Sequence, residues 1–156
     1  MILVDANIFL ELFLGQEKAE DCEKFLQKVS NGELEAVVSK FTVHAIEAVL
    51  NKSELILAFL RNIQDLLGLN VYDTSTEDEM AASMLMDKIK LDFDDAVHYY
   101  LAKKLGVEAV VSYDKHFDKT DLKRKELRNF YDLDKSLFLD SLFSSTSKTF
   151  TKINLD

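Results

Sequence analysis

Four acidic residues stand where a folded chain gains nothing from bare charge: Asp5, Glu47, Asp95 and Asp114. Asp5 closes the apolar run Ile2-Leu3-Val4, and Asp114 follows Ala109-Val110-Val111-Ser112. Glu47 interrupts a helical face, with apolar Val43, Ile46 and Leu50 at minus four, minus one and plus three. Asp95 stands beside Ala96 and Val97 at the opening of another helical run. Carboxylates pressed together in apolar surroundings repel one another, at a substantial cost in stability unless a cation or proton offsets the charge. They are also the hard oxygen ligands that Mg²⁺ and Mn²⁺ prefer. The pattern therefore points to a metal-dependent enzyme. Taken singly, Asp5, Asp94 and Asp95 read equally well as helix caps and Asp114 as a turn residue; the joint pattern carries the reading.

Two polar residues complete the set. Asn7 follows Asp5 by two, at the start of a helix, where its amide can orient a carboxylate or a water. Ser112 precedes Asp114 by two and can hydrogen-bond a ligand carboxylate or a phosphate. Partners of this kind fix ligand geometry, although each also suits a local cap or turn.

The elements that must position these residues alternate between β-type and helical runs, which predicts an α/β domain on a mostly parallel sheet of four or five strands. Strands are expected near 2–5, 35–39, 69–73 and 108–112, with a weaker one near 129–132. Helices fit near 7–13, 17–30, 41–51, 53–67, 77–89, 94–105 and 134–144. Gly32, Gly68 and Gly106 each follow a helical run and read as its C-terminal stop. In such a sheet the strand ends and the starts of the following helices share one edge, and sites form where the strand order reverses. Asp5 and Asp114 fall at that edge if the first and fourth strands are neighbours. Asp95 starts there too, and Glu47 lies about 7.5 Å down a helix capped by Thr42.

The chain of 156 residues is expected to be one domain, 1–156, with a motif-bearing core over about 1–118 and a helical extension and polar tail over 119–156. Its 47% apolar and 30% charged composition is that of a globular protein, and no run approaches a membrane span. A single cysteine, Cys22, excludes an internal disulfide, and with no signal-peptide pattern the expected location is the cytoplasm. The net charge of −9 argues against nucleic-acid binding over the whole surface. Residues 114–128 reverse that sign locally, with Lys115, Lys119, Lys123, Arg124, Lys125 and Arg128 against four acids. This window is either a solvated stretch of paired charges or a phosphate-contacting edge. The stripe Leu55, Ile56, Phe59, Leu60, Ile63, Leu66 and Leu67 is wider than one sheet face needs, which leaves room for a homodimer contact beside core packing.

These residues resemble a PIN domain, the nuclease fold of VapC-type toxins and of RNA-processing factors. ILVDANIFLEL resembles the first motif, giving Asp5 and Asn7, and VHAIEAVL the second, giving Glu47. DDAVHYYLAKKLGVEAVVSYDKHF resembles the third and fourth together, giving Asp95, Ser112, Asp114 and Phe117. The resemblance covers roughly residues 1–118 and implies a three-layer α/β/α sandwich. It also implies a Mg²⁺- or Mn²⁺-dependent ribonuclease, with Asp5 and Asp114 as direct ligands and Glu47 and Asp95 acting directly or through waters. The partners it implies are RNA, a second copy of the chain and, for a toxin, an antitoxin that supplies a basic segment to the acidic pocket; no membrane is implied. An RNA-processing or RNA-binding role without toxicity remains the alternative. A haloacid-dehalogenase-like phosphatase is a weaker one, because it needs a second Asp where Asn7 stands. His44, His98 and His116 are not spaced as a zinc set and read as incidental to catalysis. Lys115, His116 and Lys119, beside Asp114, are the candidate RNA contacts.

Overall fold

The structure, a computed structural model, describes residues 1–131. Five parallel strands form the central sheet: β1 (Ile2–Val4), β2 (Ala36–Ser39), β3 (Leu69–Tyr72), β4 (Val110–Val111) and β5 (Arg124–Lys125). Their spatial order is β3-β2-β1-β4-β5. The chain builds outward from β1 through β2 to β3, then returns to the other side of β1 for β4 and β5. The strand order thus reverses between β1 and β4, which pair through Leu3 with Val110 and Val4 with Val111.

Among the described residues, six α-helices cover the sheet: α1 (Ala6–Phe13), α2 (Ala19–Ser30), α3 (Lys40–Leu50), α4 (Ser53–Gln64), α5 (Thr76–Ile89) and α6 (Phe93–Leu105). Alternation along β1 divides them into two layers. Ile2 and Val4 point into a core shared with Phe9, Phe25, Ile46 and Phe59 from the first four helices. Leu3 points the other way, against Val37, Ala102, Val110 and Phe117. Ala82 on α5 packs with Ala96, Val97 and Leu101 on α6 in the same outer layer. The chain is a three-layer α/β/α sandwich.

Much of the broad stripe on α4 faces inward. Leu55, Phe59, Ile63 and Leu66 are buried, and the Phe59 ring meets Phe9 and Phe13 edge-on at 5.8 and 5.5 Å. Leu67 remains exposed. Three local expectations are corrected. Ser39, not Thr42, caps α3: its hydroxyl accepts from Thr42 N at 3.0 Å. Gly106 does close α6 in the left-handed region, at φ 61°, but Gly68 serves a different purpose. A Cβ there would lie 2.2 Å from the Leu34 carbonyl oxygen, so only glycine lets this backbone pass. The fifth strand runs at Arg124–Lys125, inside the segment read as a helical extension, whereas 129–132 overlaps a 3₁₀ turn over Leu127–Phe130. The helix expected at 134–144 lies outside the described residues.

The outer layer is anchored by one buried acid. Asp78 forms a reciprocal cap with Ser75 and accepts from Tyr72 Oη at 3.0 Å and Lys104 Nζ at 2.6 Å, tying α5 to β3 and α6.

Candidate active site

β1 ends at Val4, and the next residue, Asp5, caps α1 from the sheet edge. Its Oδ1 accepts from Ala6 N at 2.6 Å, and its Oδ2 accepts from Asn7 Nδ2 at 2.8 Å and from Ser112 Oγ at 2.5 Å. Ser112 is fully buried just past β4. Its hydroxyl also accepts from the Asn7 amide at 3.0 Å and from Asp114 N at 2.8 Å. One hydroxyl therefore couples the two strand ends on either side of the switch point.

The second half of the cluster comes from α6 and a 3₁₀ turn over Lys115–Lys119. Asp114 caps that turn by accepting from His116 N at 2.8 Å. The His116 ring folds back, placing Nδ1 2.9 Å from Asp95 Oδ2 and 3.3 Å from Asp114 Oδ1. Asp95 is held in the first turn of α6 because Asp92 caps that helix, accepting from Asp95 N at 3.0 Å. Asp5, Ser112, Asp114, His116 and Asp95 thus form one continuous polar chain.

Charge crowding registers in the carboxyls. Burial pushes Asp95 above the usual carboxylate range, with the charges of Asp92 and Asp114 adding and the His116 hydrogen bond opposing. Asp94 is raised as well, by desolvation first, against the pull of His98, and then by the charges of Asp5 and Asp92. Asp94 and Asp95 thus look to different parts of one acidic field.

Of the sequence-derived acids, Asp5, Asp95 and Asp114 are linked to one another through Ser112 and His116. Glu47 is half-buried on α3, and no hydrogen bond or ion pair joins it to them among the described residues. Asn7 and Ser112 make the contacts expected of orienting groups. The exposed His116 ring contacts Asp95 and Asp114, and Lys115 and Lys119 are exposed on the same turn.

Three further participants carried no clear signal in the sequence. Asp92 is one; its Asp-x-x-Asp spacing to Asp95 is the trace of an N-cap. His98 is the second, buried on α6 with Nδ1 facing the Asp94 carbonyl at 2.9 Å, so that nitrogen carries the proton. Its Nε2 lies 3.2 Å from Thr42 Oγ1, itself 2.8 Å from Ser39 Oγ, and 3.5 Å from Asp5 Oδ1. The third is Arg124, whose guanidinium donates to the Ser112 carbonyl at 3.0 Å while paired with Asp118 and Glu126. That pairing, with Arg128 on Glu126 at 3.2 Å, makes this part of the basic window structural.

The donor set suits a hard divalent ion. Asp92, Asp95 and His116 offer ligand atoms that all lie within 4.8 Å of one another. Ligands across one octahedral Mg²⁺ stand about 4.2 Å apart, so a small contraction would close the set. Carboxylate oxygens with one imidazole also fit Mn²⁺.

The family model described as PIN domain matches residues 2–123. This chain belongs to the PIN domain family. Among solved structures, this PIN domain is similar to VapC20 of Mycobacterium tuberculosis, described as a sarcin–ricin-loop-cleaving toxin. That likeness has a TM-score of 0.64 at 16% identity over 78% of this chain and 96% of the other. A toxin–antitoxin complex from Klebsiella pneumoniae gives 0.55 at 19% identity, covering 75% and 90%. PAE2754 from Pyrobaculum aerophilum gives 0.55 at 19%, covering 85% and 87%. No curated protein matches this PIN domain significantly. Among the described residues, no helix is long and apolar enough to cross a membrane.

Proposed function

We propose that this PIN domain is a divalent-metal-dependent ribonuclease acting as the toxin of a toxin–antitoxin pair. The observation that carries the reading is the Asp5–Ser112–Asp114–His116–Asp95 chain at the reversal of strand order. Asp5, Asp95 and Asp114 would hold Mg²⁺ or Mn²⁺, with Glu47 as the fourth acid and Asp92 and His116 as adjoining donors. Bound there, the ion would lower the pKa of a coordinated water and offset charge developing on the phosphoryl oxygens of RNA. Ser112 and Asn7 fix the Asp5 carboxylate. His98 closes the inner side of Asp5, where it meets Thr42 rather than solvent.

Similarity to VapC20 and to the Klebsiella toxin–antitoxin complex supports the toxin assignment and the partner it needs. An antitoxin segment carrying Arg or Lys would complement both the acid cluster and the net charge of −9. The haloacid-dehalogenase-like reading lacks its second acid, because Asn7 stands there and donates its amide to Asp5.

The test is cleavage of total bacterial RNA by purified protein after EDTA stripping and re-addition of single metals. Cleavage that returns with Mn²⁺ or Mg²⁺ and stops again in EDTA supports the reading; undiminished cleavage in EDTA contradicts it.

A further inference from the structure

An open cleft is lined by Lys88, Ile89 and Lys90 at the end of α5, Tyr99 on α6, and Lys119, Thr120 and Asp121. Two elements lead to it from the acids by one turn each. Tyr99 follows Asp95 by four residues, roughly 6 Å further along the same face of α6. Lys119 follows His116 by three residues, again about 6 Å along the 3₁₀ turn. The cleft therefore lies about one phosphate-to-phosphate step of an extended strand from the acids.

Most cations nearby are already committed. Lys103 pairs with Asp121 at 2.5 Å, Lys104 with Asp78 at 2.6 Å and Arg124 with Asp118 at 2.7 Å. Asp121, the carboxylate of the cleft, also accepts from Tyr99 Oη at 3.0 Å, so its charge is spoken for. Lys88, Lys90 and Lys119 are exposed and form no ion pair among the described residues. Lys88 and Lys90 complement the negative end of α5, but that end does not explain Lys119, which arrives from a different element. In a chain of net charge −9, three exposed ammonium groups around one cleft leave a local positive surface that an incoming anion can meet.

We propose that Lys88, Lys90 and Lys119 bind a backbone phosphate of the RNA strand, next to the phosphodiester held at the acid cluster. The assignment deepens the ribonuclease reading and rests on it for the direction of the strand. The contact is to phosphate, so it sets affinity and register without reading sequence.

The test measures binding of a short fluorescein-labelled single-stranded RNA of mixed sequence by anisotropy, in Ca²⁺, over a range of KCl. Probe integrity is checked by gel, and cleavage in Mn²⁺ is followed separately. Lys88→Ala/Lys90→Ala/Lys119→Ala should lower the slope of log affinity against log salt by about 2, from three contacts of about 0.7 each. It should weaken binding on the order of tenfold or more at low salt. Lys52→Ala, at an exposed lysine just before α4, should leave both unchanged. A triple variant with parental slope and affinity overturns the proposal, and so does a parent that binds no RNA. Equal loss in Lys52→Ala and the triple variant also overturns it, because the effect is then diffuse charge. Should the triple variant bind RNA normally but lose a labelled poly-glutamate, the cleft serves an acidic protein segment and the RNA assignment falls. A parent that binds with the lysine-dependent slope yet never cleaves in Mn²⁺ sinks the nuclease reading while the cleft stands.

Discussion

Ser112 Oγ donates to Asp5 Oδ2 at 2.5 Å, joining residues 107 positions apart. The same hydroxyl accepts from Asp114 N, so it holds both strand-end acids in register. Ser112→Ala should lower metal-dependent RNA cleavage by about 10- to 100-fold, the range for losing an orienting partner. Ser112→Thr keeps the hydroxyl and should stay within a few fold of wild type. Initial rates at saturating Mn²⁺ would show the contrast; equal loss in both variants would mean steric disruption instead.

The buried His98 ring links the Asp94 carbonyl, Thr42 and the neighbourhood of Asp5. His98→Ala leaves a void and strands the hydroxyl chain through Thr42 and Ser39. The expected loss is about 2–3 kcal/mol of unfolding free energy in metal-free protein. Urea denaturation in EDTA reads it directly. A change below about 0.5 kcal/mol, the scale of an ordinary surface substitution, would contradict the packing described.

How much of this was legible in the chain depended on how local each signal was. β1, β2 and β3 announced themselves as short apolar runs, and Asp5, Asp95 and Asp114 as acids at their edges or at a helix start. β5 did not, because Arg124–Lys125 is an edge pair with no apolar pattern; the aromatic Phe130-Tyr131 looked more strand-like. Gly68 resembled a helix stop because a close backbone approach leaves no trace in its neighbours. His98 and His116 looked incidental for the same reason: their partners, Asp5 and Asp95, meet them only through tertiary packing. The Glu47 motif marked a polar residue on an apolar helix correctly, yet spacing alone did not establish contact with the other acids.

Asp94 and Asp95 are raised above the ordinary carboxylate range, by burial first and then by neighbouring acids. The folded chain holds those protons more tightly than the unfolded chain does. Stability therefore falls as pH climbs from the ordinary pKa through the raised one, and the penalty is complete above it. A divalent ion offsets the same charge. Mn²⁺ should raise Tm more at pH 7 than at about pH 4, near the ordinary carboxylate pKa. Thermal melts with and without metal at the two pH values test this, and equal shifts would contradict it.

Asp78 behaves in the opposite sense. Burial alone would raise its pKa, but hydrogen bonds from Lys104, Ser75 N and Tyr72 outweigh that and hold it low. Its contribution is present above the unfolded-state pKa and lost as pH falls through the folded one. Asp78→Asn should cost about 2 kcal/mol at pH 7, with the gap to wild type closing as pH falls below the ordinary carboxylate range. Urea midpoints across that range decide it; a gap independent of pH would assign the loss to packing instead.

The central claim is that carboxylates gathered at the β1–β4 reversal cleave RNA through a divalent ion, and Asp5→Asn tests it most directly. RNA cleavage in Mn²⁺ should fall by at least about a thousandfold, while circular dichroism and thermal melting in EDTA show an intact fold. Wild-type cleavage rates in a cleanly purified, folded Asp5→Asn protein would contradict the account.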